Sequence, residues 1–168
     1  MKQWFLLIPL LGYSYLSTAG GDLAGSEFSG LNSYRQGYNM VAITGQHGSD
    51  NTASITQSGS HIYGSISQVG GYNNAILNQN GFNNRAAIAQ YGNGNNATVN
   101  QSGMNNSAVL VQAGAGNEAD ITQTGFDNSA EIVNKGVRNL TQINQTGTSR
   151  SAAVVQNSAG MAIRITQN

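Results

Sequence analysis

Glutamine recurs every eleven residues along most of this chain, at Gln46, Gln57, Gln68, Gln79, Gln90, Gln101, Gln112, Gln123, Gln145, Gln156 and Gln167, with Asn134 in the one remaining place. Eleven of the fourteen Gln in 168 residues stand on this comb, so the period, more than the composition, decides what the chain can become. Other columns keep the same phase. Two residues after each comb position comes Gly, from Gly48 to Gly147, with Ser158 the exception. Two before it comes an aliphatic side chain, as in Ile55, Leu77, Val99, Ile121, Ile143 and Ile165, with Thr44 the exception. Four before is usually Ala, and six before is usually Asn: Asn51, Asn73, Asn84, Asn95, Asn106, Asn117, Asn128 and Asn139. The unit is N-x-A-x-I-x-Q-x-G-x-x.

A spacing of two between constant positions is strand spacing, so Asn, Ala, the aliphatic residue and Gln all face one way and the variable residues the other. Helical spacing fits none of the columns. Gly and the two residues after it are expected to form the turn, where a residue without Cβ takes positive φ without penalty. A longer period shows in those turns. The residue before the Asn column is Asn83, Asn105, Asp127 and Ser149 in alternate units but Gly94, Gly116 and Gly160 in units between, and bulky Phe82, Met104 and Phe126 alternate with small Asn93 and Ala115. The true repeat is therefore 22 residues, two strands joined by two unlike turns.

Such a coil closes as a β-arch, with each strand hydrogen-bonded to its counterpart in the next coil. The expectation is an all-β, parallel β-solenoid of stacked β-arches over residues 40–168, with six 22-residue coils and two facing six-strand sheets, standing about 29 Å tall. Ala and Ile, Leu or Val would fill the centre, and the inward Gln and Asn would stack into amide ladders. One coil alone would leave those amides unpaired at roughly 1–3 kcal/mol each, so stability belongs to the stack. No Pro or polar helix blunts the end at Arg164-Ile165-Thr166-Gln167-Asn168, and open strand edges invite another chain to add.

Composition enters through what it excludes. Only 8% of residues are charged, the net charge is zero and there is no Cys, so neither charge-driven disorder nor a disulfide scaffold fits. Lys2 followed by the apolar run Trp4 to Leu16 and the small residues Ser17-Thr18-Ala19 predicts a secretory signal over 1–19. His47 and His61 are both expected at turns and lack the carboxylate or Cys company of a metal site. The many Ser have no His/Asp arrangement, and no phosphate loop or basic aromatic surface for nucleic acid is present. The outward positions Thr52, Asn74, Arg85, Thr98, Ser107 and Glu118 are too mixed for an ice-binding array. No enzyme activity and no cofactor are expected.

The run Gln90-Tyr91-Gly92-Asn93-Gly94-Asn95-Asn96-Ala97 through Gln101, repeated from Gln112 to Gln123, resembles the curlin repeat of curli fibres, and the resemblance covers essentially the whole chain past the signal. Asp22 to Glu27, Val41 to Gln46 and Met161 to Gln167 are more similar to the family's minor, nucleating subunits than to its major fibre subunits. The minor subunits carry five repeats, so the middle of this six-repeat chain has no one-to-one counterpart. The resemblance implies export through a dedicated outer-membrane secretion pore with accessory factors, with residues 20–39 as the targeting segment. It further implies an extracellular location on the outer-membrane surface, templating of amyloid growth of the major curlin subunit, and self-association into fibres that serve adhesion and biofilm. The comb of Gln and Asn would then be the templating ladder.

The last coil, 147–168, is atypical. Arg150 and Met161 stand where Asn is usual, Ser158 replaces Gly, and past Glu131 the only charges are Lys135, Arg138, Arg150 and Arg164. Two readings stand side by side: Arg150 and Arg164 anchor the chain to an acidic surface, or basic coils pair with the acidic stretch of Glu118, Asp120, Asp127 and Glu131. Likewise the irregular coil is either a cap or a contact. Asn134, and Ile62 with Gly64, are expected as tolerated faults that slow self-assembly.

Overall fold

The computed structural model describes residues 40–168; the expected signal over 1–19 and targeting segment over 20–39 lie outside the described residues. Twelve strands follow one another: β1 (Met40–Ser49), β2 (Thr52–Ser60), β3 (Ile62–Gly71), β4 (Asn74–Phe82), β5 (Arg85–Asn93), β6 (Asn96–Met104), β7 (Ser107–Ala115), β8 (Glu118–Phe126), β9 (Ser129–Val137), β10 (Leu140–Thr148), β11 (Ser151–Ala159) and β12 (Ala162–Gln167). Odd strands form one six-stranded sheet in the order β1-β3-β5-β7-β9-β11, and even strands form the other, β2-β4-β6-β8-β10-β12. Every pairing is parallel and in register at a 22-residue offset, as in Gln79 beside Gln101 and Gln101 beside Gln123. Each odd-even pair is one coil, giving coils 1 to 6, the solenoid that the period predicts.

Alternation of the sequence becomes alternation of burial. In β6, Ala97, Val99 and Gln101 are buried while Thr98, Asn100 and Ser102 face outward. The aliphatic and Ala columns pack into one core running from Ile66 and Ala75 to Ile143 and Val154, with Ile163 and Ile165 partly buried at its far end. Such in-register stacking is favourable because burying a Leu or Ile side chain contributes roughly 1.5–3 kcal/mol, which a single coil, open above and below, cannot realise. The outer faces differ. The even sheet presents polar residues, with Asn74 donating to Asn96 and Asn78 to Asn100, both at 3.0 Å. The odd sheet presents Val69, Tyr91, Val109 and Val155.

The turns differ from expectation in two ways. Strands run through the Gly column and one residue beyond, because the bends are stacked and hydrogen-bonded between coils as well, for example Asn105 N–H to the Phe82 carbonyl at 3.0 Å and Ser107 N–H to the Asn128 carbonyl at 2.8 Å. The two turns of a coil also share one backbone shape. Gly92 and Gly103 have φ of 111° and 118°, and the residue before the Asn column is left-handed in both turns, at 63° for Gly94 and 57° for Asn105. The alternation seen in the sequence is one of side chains on a common bend, since Gly, Asn and Asp all tolerate that region. His47 belongs to β1 rather than to a turn, whereas His61 is in a turn with φ of 58° and meets the Phe82 ring at a tilt of 52°, with centroids 5.0 Å apart.

Candidate assembly surface

The inward carboxamides are too numerous to be buried unless each finds a partner, and the stack supplies them. Along the even sheet every Gln Nε2 donates to the Oε1 of the Gln one coil on: Gln57 to Gln79 at 3.0 Å, Gln79 to Gln101 and Gln101 to Gln123 at 2.8 Å, Gln123 to Gln145 and Gln145 to Gln167 at 2.9 Å. Its second proton crosses to the facing strand, as from Gln101 to the Arg85 carbonyl at 3.0 Å. Along the odd sheet the same chain runs from Gln46 through Gln68 and Gln90 to Gln112.

The Asn columns run the opposite way. Asn95 donates both its backbone N–H and its Nδ2 to Asn73 Oδ1, at 3.1 and 3.0 Å, and Nδ2 also reaches the Gly114 carbonyl of the following coil at 3.1 Å. Asn117 does the same to Asn95, and Asn106 and Asn128 form the equivalent column from Asn84. The solenoid thus has chemical polarity: from amide to amide, its Gln columns donate toward coil 6 and its Asn columns toward coil 1. The Gly column makes this stacking possible. A Cβ at Gly103 would land on the carbonyl oxygen of Gly125, and likewise along the column.

Asn134 interrupts the odd Gln ladder. It is one methylene short, and the space is taken by Thr141, which stands where Ala is usual. The Thr141 hydroxyl lies 2.8 Å from Asn134 Oδ1 and 2.7 Å from Gln156 Oε1, and all three residues are buried. A hydroxyl has one proton, so it donates to only one of these oxygens. Turning the Asn134 carboxamide over lets Nδ2 donate to Thr141 Oγ1 while Thr141 donates to Gln156, which also gives a partner to the Asn134 Nδ2 that otherwise has none. Gln156 Nε2 turns aside to the Met161 carbonyl at 3.4 Å.

In coil 6 the ladders change character. Arg150 and Met161 still donate their backbone N–H groups to Asn128 and Asn139 Oδ1, at 3.1 and 3.2 Å, but offer no carboxamide to whatever follows. The Arg150 guanidinium folds over Gly147, with Nη2 donating to the Asn168 carbonyl at 2.6 Å, so it occupies the place above Gly147 where another coil's turn would stack. Arg164 lies elsewhere, exposed on the outer face of β12 in register with Gln142. The two arginines share a coil but not a surface. At the opposite end, Gln57 Oε1 has no donor.

Reasoning from sequence singled out the Gln and Asn columns and Arg150 but missed two residues and one placement. Thr141 and Ile163 break the Ala column, and the position of Arg150 over the turn follows only from its register. The first two were legible as departures from Ala. Among the described residues no group of three or more His, Cys, Asp or Glu could hold a metal. A shallow groove of about 340 Å³ on the even sheet, lined by Thr56, Asn78, Asn100 and Thr122 among others, holds no titratable side chain.

Three stretches, 62–92, 73–103 and 103–133, match the model of the Curlin associated repeat, and together they run unbroken from coil 2 to the residue before Asn134. These matches support a place in the curlin family. No curated protein matches the chain.

Proposed function

We propose, starting from curlin repeats set in a six-coil solenoid, that this chain is the minor, nucleating kind of curli subunit, held at the outer-membrane surface, where it templates the extracellular growth of the major curlin. The observation that carries the reading is the contrast between coils 3 and 4, where the Gln and Asn ladders are full, and coil 6, where Arg150 and Met161 replace ladder residues and Ser158 replaces Gly. A subunit made for indefinite self-stacking has every reason to keep its last coil like the others. Residues 20–39 serve as the targeting segment for the outer-membrane secretion pore, and the fibres so started serve adhesion and biofilm.

The mechanism follows from the amide columns. An unfolded repeat chain that forms its first coil alone leaves its inward amides unpaired at roughly 1–3 kcal/mol each, which makes the first coil the barrier. A finished solenoid edge supplies partners in the correct register from the first contact. Arg150 and Arg164 in the basic last coil are the candidates for surface attachment.

The second reading, a major fibre subunit, is favoured by the even Gln ladder, which runs unbroken from Gln57 to Gln167. Substoichiometric addition of the chain to purified major subunit, followed by thioflavin fluorescence, separates the two. The nucleator shortens the lag; an unchanged lag sinks that reading. Removing residues 147–168 should release the chain from cells with export intact, and surface retention of the truncated chain would refute attachment through coil 6.

A further inference from the structure

Adding one solenoid to another in continuous register brings the coil 1 edge of the newcomer onto the coil 6 edge of its predecessor, or the reverse. Each column then meets a definite partner 22 residues on. For two copies of this chain the meeting can be followed column by column, and it fails. Asn51, whose interior equivalents Asn73, Asn95 and Asn117 donate backbone N–H and Nδ2 to an Asn Oδ1 of the preceding coil or supply that acceptor in turn, would find Met161. The second Asn column ends in Arg150. Gln46 would meet Gln156, whose carboxamide is turned to Thr141 and to the Met161 carbonyl. Ser158 stands in the Gly column but outside the positive φ that every Gly of that column adopts. Ile163 puts a four-carbon side chain in the Ala column. Of the four amide columns only that of Gln167 continues, donating to the Ser151 carbonyl at 3.1 Å as its predecessors do to theirs, while Ala152, Val154 and Ile165 keep the apolar columns.

The coil 1 edge is different. Gln57 Oε1 is an enclosed acceptor with no donor, Asn51 keeps its carboxamide, and Gly48 and Gly59 keep the open backbone at φ of 117° and 125°. Its needs are those of an interior coil: a Gln Nε2 donated to Gln57, an Asn Oδ1 offered to Asn51, and a glycine turn to stack on.

We infer that this chain is a one-ended template: its coil 1 edge receives the final coil of a different solenoid chain with the same 22-residue repeat and intact Asn and Gln columns, while its coil 6 edge ends the stack, so copies of this chain do not stack on one another. This rests on the nucleator reading and adds to it a direction of growth, the edge that is used, and a reason why the starter does not itself become the fibre.

The experiment compares self-assembly of the wild-type chain with that of R150N/S158G/M161N/I163A, which rebuilds coil 6 as an interior coil, and of R150N/M161N, which restores the Asn columns alone and disturbs the backbone least. Thioflavin fluorescence and filament counting follow each protein alone, and circular dichroism confirms folding. Both repaired chains are expected to self-polymerise with a lag about tenfold shorter than wild type, since buried amide contacts are restored. Wild type added at a few parts in a hundred to the repaired chain should give more and shorter filaments, because it starts them at its coil 1 edge and stops any whose coil 6 edge it joins. N51L/Q57L should lose both effects. If wild type polymerises as fast as the folded repaired chains, or if N51L/Q57L seeds as wild type does, the one-ended template is overturned. Failure of the wild type to seed the major subunit, with the difference in self-assembly intact, would instead remove the nucleator reading and leave the polarity standing.

Discussion

At the residue scale, two glycines separate what the backbone requires from what it permits. Gly103 has φ of 118°, and a Cβ there falls on the Gly125 carbonyl oxygen. Gly94 has φ of 63°, with nothing within 4 Å of a built Cβ. The equivalent bends already carry Asn83 at 54° and Asn105 at 57°, so an L residue of the right kind fits. Gly103→Ala should therefore lose about 3 kcal/mol, since strain and a backbone collision coincide, whereas Gly94→Asn should stay within about 1 kcal/mol of wild type. Urea unfolding of the two variants checks the contrast, and equal losses would show that the bends are not shaped as described. The sequence makes the Gly column visible by its period, but the reason for it, the neighbouring coil's carbonyl, appears only when the coils are stacked.

At the element scale, the fault between β9 and β11 is compensated. Asn134 is short for its column, Thr141 is large for its own, and the two meet with Gln156 in one buried contact. Read along the chain, Asn134 is a tolerated substitution and Thr141 a minor one; seven residues apart on facing strands, they are a pair. Asn134→Gln alone drives a longer amide against the Thr141 hydroxyl, and Thr141→Ala alone leaves Asn134 and Gln156 without their shared partner. Each single change should cost about 1–2 kcal/mol, and the double variant, which rebuilds the Gln and Ala columns and joins Gln112 to Gln156, should recover most of that loss. Additive losses in a double-mutant cycle on equilibrium unfolding would show the residues to be independent. Strand positions, facing residues and the 22-residue coil were legible because a period of two within a period of eleven allows little else. The side-chain exchange across the coil was not, because pairing of facing strands leaves no mark on the spacing.

For the whole molecule, a solenoid in which each coil touches only its neighbours has a stability that is close to a sum over seams, so its two ends can be compared directly. The seam between coils 1 and 2 has the Gln46–Gln68 and Gln57–Gln79 rungs and the Asn73–Asn51 rung, and lacks one where Met40 meets Ile62. The seam between coils 5 and 6 keeps Gln145–Gln167 and the buried Thr141–Gln156 bond, since Asn134 and Gln156 do not bond and Arg150 and Met161 bring no carboxamide. Among the described residues both outer coils have a neighbouring coil on one side only, so burial alone predicts similar fraying. The side-chain rungs predict a difference of one, about 1 kcal/mol, or about fivefold in the population of the opened end. Native-state hydrogen exchange should therefore show the amides of β11 and β12 that bond back to β9 and β10 exchanging about fivefold faster than those joining β1 and β2 to β3 and β4, with β5 to β8 slowest of all. Restoring the Asn columns with R150N/M161N should remove the gap, because the outer strands and their backbone pairing are unchanged and only the side-chain rungs differ. Equal exchange at the two ends would mean that the backbone ladder alone sets local stability, and that the amide columns choose the register of the stack without adding to its strength.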